Sequence, residues 1–279
     1  MFQYAMGRAL ALKSGQHLRL DTRSFNGRPQ HQGFELHRVF RVSTPVATNE
    51  EIVEMLGWQA SRIVRRFLIR TGLTRFSKQS SINEPHFHYW NGVETLSNHC
   101  YLSGYWQSEK YFRSFFSEIR RDFLFKQPLE GRNVEVAKQI SEVNAISMHI
   151  RRGDYVNSPV ANQTHGVCTP NYYHEAISHL LERVVKPHIF IFSDDIPWAR
   201  KNLKIDAPCS FVDHNCGLES FNDMRLMSMC DHHIIANSSF SWWGAWLNQS
   251  ETKIVVAPQE WFAVDKNVSD LIPVNWVRK

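Results

Sequence analysis

The chain has 279 residues, 43% of them hydrophobic and 21% charged, enough for one large domain or two smaller α/β domains with real cores, so that disorder is not the default reading. A net charge of +5 suits an anionic substrate, an acidic lipid surface or nucleic acid without choosing among them. The five cysteines are scattered with no Cys-x-x-Cys pair, which argues against a zinc site and a disulfide framework and fits a reducing compartment.

The first half opens with a helical pattern over Phe2–Ser14 and a short strand around His17–Leu20. No strand precedes that helix, so the expectation is an α/β unit that has lost its first strand and turn. Helical segments follow from Asn49 to about Arg70 and from Glu109 to Phe125, with a strand at Tyr101–Tyr105 between them. Within the first of these, Arg62, Arg65, Arg66 and Arg70 fall along one side while Ile63, Phe67 and Leu68 fall largely on another. Such a face suits either solvent or an anionic membrane surface. A polar stretch, Gln127–Asn133, contains Pro128 and Gly131 and separates residues 1–130 from residues 131–279 as two domains.

The second half is the more regular. Apolar runs at Ala145–Ile150, Ile189–Phe192, Ser210–Val212, His233–Ala236 and Ile254–Ala257 read as strands. Helical patterns at Tyr172–Val185, Pro197–Leu203, Glu219–Met229 and Phe240–Leu247 alternate with them. That alternation predicts a parallel, doubly wound sheet. No apolar run reaches the roughly 18 residues that span a bilayer, and the N-terminus lacks the order of a signal peptide. A cytoplasmic protein is expected.

Three segments carry chemistry. In Ile146-Ser-Met-His-Ile-Arg-Arg-Gly-Asp-Tyr155 a strand runs into a loop, so alternation puts His149 and Arg151 on one face at the strand's carboxyl end. An arginine there offers a planar fork for two phosphate oxygens, or else an ion pair with Asp154. In Asp231–Trp246 a buried strand ends in Asn237-Ser-Ser where a helix begins, and free N–H groups beside Ser238, Ser239 and Ser241 make either an anion site or an ordinary cap. Trp242, Trp243 and Trp246 read as packing, and His232-His233 as structural. In Ile189–Trp198, Asp194 or Asp195 can accept from a guanine's N1 and N2 edge or cap the next helix. His165, in a Gly-containing loop after Asp154, is a candidate general base. No carboxylate cluster is spaced for a divalent cation, so a metal-free site is expected, with Arg151 neutralising a leaving phosphate.

Taken in order, Met1–Ala5, His149–Tyr155, Phe192–Asp195, Ala236–Asn248 and Ala257–Phe262 resemble the bacterial α1,2-fucosyltransferases of glycosyltransferase family 11 over nearly the whole chain. The resemblance implies a GT-B architecture of two Rossmann-like domains with parallel sheets facing a cleft. It implies inverting transfer of L-fucose from GDP-β-L-fucose to the 2-hydroxyl of a terminal β-galactoside, without a metal or other cofactor. By the same resemblance Arg151 contacts the diphosphate, His149 lies beside the nucleotide, Ser239-Phe240 makes the other phosphate contact and an aspartate in Phe192–Asp195 reads guanine. Gln3 and Tyr4 then belong to the acceptor side. Two features depart from the family pattern: no Gly-rich turn ending in Gly-Asn-Gln precedes the opening segment, and Val156–Ala161 lacks a carboxylate where related enzymes place a base. Asp154 and His165 are the competing bases. Peripheral contact with the inner face of the membrane, through the arginine stretch, is a further expectation. The rival readings are a transferase of the same fold with another donor or acceptor, and a GDP-sugar-binding protein that transfers nothing. Nucleic-acid binding is disfavoured, because the arginines are not interleaved with surface aromatics in a recognised module.

Overall fold

A computed structural model describes residues 1–25, 32–61, 63, 64, 67, 70, 80–96 and 99–279, the last range with the side chains of 154, 157, 160 and 161 excepted. Contacts divide the chain into two units, Met1–Lys126 with Asn267–Pro273, and Gln127–Lys266 with Val274–Lys279.

The first unit begins with the helix Phe2–Ser14, as expected, closed by Gly15 at φ 66°, a left-handed cap that glycine adopts without a Cβ penalty. Two short parallel strands, β1 (Ser81–Asn83) and β2 (Tyr101–Ser103), pair in register from Ser81↔Tyr101 to Asn83↔Ser103. The expected strand at His17–Leu20 is reduced to one parallel bridge, Leu20↔Val46. The helix expected from Asn49 has a Thr48/Glu51 capping box and is interrupted after Leu56, where Gly57 turns to φ 58° and opens the 3-10 turn Gly57–Ala60; beyond it the described residues Ile63, Val64, Phe67 and Arg70 are again helical. Of the arginine stretch, Arg62, Arg65 and Arg66 lie outside the described residues, while Ile63 and Phe67 are exposed. The expected helix from Glu109 is broken into the 3-10 turns Glu109–Tyr111 and Arg113–Phe115 and the helix Phe116–Asp122. Phe112 and Phe115, both at φ −130°, leave helical geometry. Ring packing wins there: Phe112 meets Phe2 at 6.5 Å and Phe116 at 6.0 Å between centroids.

The second unit is built on a six-stranded parallel sheet, β3 (Asn144–Ile150), β4 (Pro187–Ser193), β5 (Cys209–Val212), β6 (His232–Ile234), β7 (Val255–Ala257) and β8 (Val277–Arg278), in spatial order β5-β4-β3-β6-β7-β8. The central strands are buried on both faces, with Ile146, Met148, Ile150, Ile189 and Ile191 fully buried on one and Ala145, Phe190 and Phe192 on the other, as a sheet covered by helices on both sides requires. The helix Pro170–Leu181 shows how such cover forms. Thr169 accepts from the Tyr172 amide, Pro170 sits at the first turn, and Tyr172, Tyr173, Ala176, Ile177 and Leu180 make the buried face. Ile196–Asn202, Phe221–Met229 and Ser239–Leu247 are helices close to their expected places, whereas the helix Arg132–Ser141 was not foreseen. Trp242, Trp243 and Trp246 are buried. His233 is bonded on both nitrogens, to Ser147 and Asn248, and His232 accepts from the Ile254 amide, so this doublet is structural. The five cysteines are unbridged. Among the described residues no helix is long and apolar enough to cross a membrane.

Candidate active site at the strand-order switch

In the second unit the chain moves outward from β3 to β4 and β5, then returns to the other side of β3 as β6. The loops after β3 and β6 therefore diverge, and the crevice between them is where such sheets bind ligands. β3 pairs directly with β6, Met148 opposite Ile234, so the segments following these two strands are neighbours by construction.

After β3, Arg151 leaves the sheet half-exposed, with Nη1 3.1 Å from Asp194 Oδ2. Asp194 is thus a carboxylate partner of Arg151, while the side chain of Asp154, the partner the sequence offered, lies outside the described residues. Asp194 Oδ1 accepts the Arg152 amide at 2.8 Å. Gly153 permits the approach, since a Cβ there would lie 2.9 Å from Asp194 Oδ2. Arg152 goes elsewhere: its guanidinium covers the Trp198 ring at 3.9 Å, and Nε lies 3.5 Å from Asp195 Oδ2. Asp195 caps the helix Ile196–Asn202, Oδ1 accepting the Trp198 amide at 3.1 Å. Both aspartates expected as base readers are thus engaged by the arginines after β3, and Asp195 also by the helix it caps.

After β6, Ser238 caps the helix Ser239–Leu247 by accepting the Phe240 amide at 3.3 Å. The first-turn N–H groups of a helix have no intrahelical acceptor and carry the positive end of its dipole. Ser239 is exposed there. Ser241 is buried and donates to the Ser238 carbonyl. The Asn237 amide is spent on scaffolding, donating to the carbonyls of His165 at 2.9 Å and Trp261 at 3.3 Å.

Tyr155, in the short helix Gly153–Asn157, joins the two loops. The Arg151 guanidinium lies 5.7 Å from its ring centroid, while its hydroxyl donates to the Asn237 carbonyl at 3.4 Å. His165 stacks on the same ring at 4.8 Å and meets Phe262 at 5.4 Å. Of the two candidate bases, His165 is thus flanked by aromatic rings, and the side chain of Asp154 lies outside the described residues. His149 is buried, its ring 5.6 Å from that of Phe240. Burial, then the Arg151 charge, push its pKa down to about 3, so the imidazole is neutral. Its Nδ1 is buried without a hydrogen-bond partner among the described residues, the condition of a polar atom that meets a ligand.

Sequence reasoning missed Asp223. It lies in the first turn of Phe221–Met229, the helix that enters β6 from the carboxyl edge of the sheet. Asn215, just beyond β5, donates to it at 2.8 Å and is itself held by Asn133. Burial raises the carboxyl to about 7, a rise the Asn215 bond moderates. An acid in a helical first turn looks ordinary, and only its burial reveals the perturbation. Tyr155 was passed over because its hydroxyl bond to the Asn237 carbonyl joins segments far apart in the chain.

Gln3 and Tyr4 belong to the first unit. Tyr4 is buried, and its hydroxyl donates to Asp122 at 2.7 Å, which makes it a structural residue. Gln3 is exposed and donates to the Gly104 carbonyl at 2.7 Å. Among the described residues no group of three His, Cys, Asp or Glu is placed to hold a metal ion.

A model of glycosyl transferase family 11 matches residues 83–278. The chain is 36% identical over 290 aligned residues to an α-1,2-colitosyltransferase of Escherichia coli, covering 100% of this chain and 94% of that protein. It is 34% identical over 294 to the O-antigen biosynthesis glycosyltransferase WbnK of Escherichia coli, covering 99% and 95%. Among solved structures, the α-1,6-fucosyltransferase NodZ soaked with GDP-fucose superposes with a TM-score of 0.51 at 14% identity, covering 88% of this chain and 87% of that one. That likeness shows a shared α/β fold with parallel sheets, of the GT-B kind.

Proposed function

The chain belongs to glycosyltransferase family 11 and is a glycosyltransferase, and on that premise we propose that it transfers L-fucose from GDP-β-L-fucose to the 2-hydroxyl of a terminal β-galactoside with inversion. The observation that carries this reading is the meeting of Arg151 with the Asn237–Ser239 turn through Tyr155. A guanidinium and a helix N-terminus at a strand-order switch are what a departing diphosphate needs.

In the proposed step the acceptor oxygen bonds to C1 of the sugar as the bond from C1 to the β-phosphate oxygen breaks, the electron pair leaving with GDP. The transition state is oxocarbenium-like, and negative charge grows on the β-phosphate. Arg151 faces that charge with guanidinium N–H donors, together with the hydroxyls of Ser238 and Ser239 and the amides of the Phe240 turn. Such pre-aimed donors are worth most in a water-poor site. No metal takes part in this scheme, the cationic fork doing the neutralising. The acceptor proton passes to Asp154 or His165, or departs late along a dissociative route. His149 contacts the nucleotide as a neutral hydrogen-bonding group. With Asp194 and Asp195 engaged, the buried Asp223 is the carboxyl we assign to the guanine's N1–H and N2–H pair, in place of the loop aspartates.

A second donor is favoured by one observation, the 36% identity to an α-1,2-colitosyltransferase. Colitose is L-fucose without its 3-hydroxyl, so both donors present the same leaving group. Incubation with GDP-fucose and GDP-colitose, each with a panel of β-galactosides, followed by mass spectrometry, separates the readings. Addition of a deoxyhexose supports the first and of a dideoxyhexose the second. GDP binding without any product overturns both.

A further inference from the structure

Resting on the acceptor reading above, we propose that Tyr105 is the stacking platform for the acceptor's terminal galactose. The observation is a loop in the first unit whose whole construction serves to present one exposed ring. β2 ends at Ser103, and Gly104, Tyr105 and Trp106 follow at the carboxyl edge of the parallel pair, the edge at which parallel α/β units receive ligands.

Four features fix that loop. The Glu84 carboxylate accepts two successive amides, Tyr105 N–H at 2.7 Å and Trp106 N–H at 3.0 Å. Gln3 donates to the carbonyl of Gly104. Glycine is required at 104, because a Cβ would lie 2.4 Å from that of Glu84. Trp106 takes φ 55°, a left-handed conformation unfavourable for a bulky residue, and full burial against Tyr111 holds it there. Strain of this kind persists where surrounding structure over-determines it, and it concentrates at ligand sites. The Tyr105 side chain itself is spared from the packing and stays 65% exposed.

A rigid, outward aromatic ring on a polar edge suits a sugar. The C–H bonds on one face of a β-galactose form an apolar surface that lies flat on a π face, while its hydroxyls remain free for polar neighbours. Because the backbone is already ordered, little conformational entropy is lost on binding. The phenolic hydroxyl has no part in this contact.

Steady-state kinetics on wild type, Tyr105→Phe and Tyr105→Ala test the assignment, with acceptor KM, donor KM and GDP-sugar hydrolysis without acceptor read separately. Saturation-transfer NMR with methyl β-galactoside reads acceptor binding directly. The expected result is an acceptor KM raised roughly tenfold or more in Tyr105→Ala, with donor KM, hydrolysis and melting temperature unchanged. Tyr105→Phe should behave as wild type. An acceptor KM that stays at the wild-type value in Tyr105→Ala overturns the proposal, as does a donor KM that rises in step with it. Should wild type hydrolyse the donor yet show neither transfer to, nor saturation transfer from, any β-galactoside, the acceptor reading fails instead. The same variants then decide the platform on whichever glycan the enzyme does accept.

Discussion

Arg151 is aimed by Asp194: Nη1 lies 3.1 Å from Oδ2 of the aspartate, whose other oxygen takes the amide of the next residue, Arg152. The pair is partly solvated, its side chains 34% and 25% exposed, so it contributes only about 0–1 kcal/mol to stability. Its effect should appear in catalysis. Asp194→Asn keeps an oxygen for the Arg152 amide and removes the charge that orients the guanidinium. We expect donor KM to rise about tenfold with little change in melting temperature, since misaiming a clamp is costly even at small displacement. An unchanged donor KM would reduce the pair to scaffolding.

Arg151→Lys tests the fork itself. Lysine keeps the charge but offers a single point where the guanidinium offers a planar array, so it cannot serve Asp194 and two phosphate oxygens together. Turnover should fall roughly 100- to 1000-fold, corresponding to ~3–4 kcal/mol of lost transition-state stabilisation. GDP release is the convenient readout. Near wild-type turnover would remove Arg151 from the proposed chemistry.

The sheet of the second unit was legible in sequence because its strands are short apolar runs separated by capped helices. At Thr169-Pro170 and at Ser238 the cap chemistry marks the helix starts almost to the residue. The first unit was less legible for a physical reason. Its segment Glu109–Phe125 has helical composition, yet Tyr111 packs edge-on against Trp106 and Phe112 against Phe2 of the first helix, and such tertiary ring packing overrides local propensity. At the site, strand alternation located His149 and Arg151, but no spacing rule announces that Asp194 would be the partner of Arg151. That pairing comes from β3 lying beside β4, Ile150 opposite Ser193. Asp223 depends on Asn215 and Asn133, residues remote from it in the chain or unremarkable in type. Burial of this kind is a three-dimensional property.

Asp223→Asn separates stability from function. With a folded-state pKa of about 7 against an ordinary carboxyl value of 3.8, the native state holds a proton that the unfolded chain has released. Stability therefore falls as pH rises from about 4 to about 7. Asparagine keeps the acceptor for Asn215 and abolishes that loss, so the variant should be ~1–3 kcal/mol more stable than wild type at pH 7.5 and equal to it near pH 4. If the carboxylate also reads guanine, wild type should prefer GDP to IDP, which lacks the 2-amino group, by about tenfold or more. Asp223→Asn should erase that preference, whereas Asp194→Asn should keep it. A stabilised variant that still distinguishes GDP from IDP would leave Asp223 with no part in base recognition.

Two histidines should govern the acid limb of stability. His149 is held neutral by burial and by Arg151, with a pKa of about 3, and burial holds His233 well below its ordinary value. Geometry explains the second. Asn248 donates to His233 Nε2 while Nδ1 lies 2.8 Å from Ser147 Oγ, so a proton on Nε2 would confront an N–H donor. As pH falls below about 6.5 the unfolded chain binds two protons that the fold refuses, and stability declines toward the depressed folded pKa values by ~1.4 kcal/mol per pH unit for each histidine. Asp223 acts in the opposite sense over the overlapping range, leaving a net loss in acid. His149→Phe preserves ring volume against Phe240 and removes one of the two titrations. Melting temperatures followed from pH 7.5 to 4.5 should show a shallower acid slope in that variant, while donor binding is lost. Parallel slopes would mean that His149 accepts a proton in the folded state, and its assignment as a neutral nucleotide contact would have to be given up.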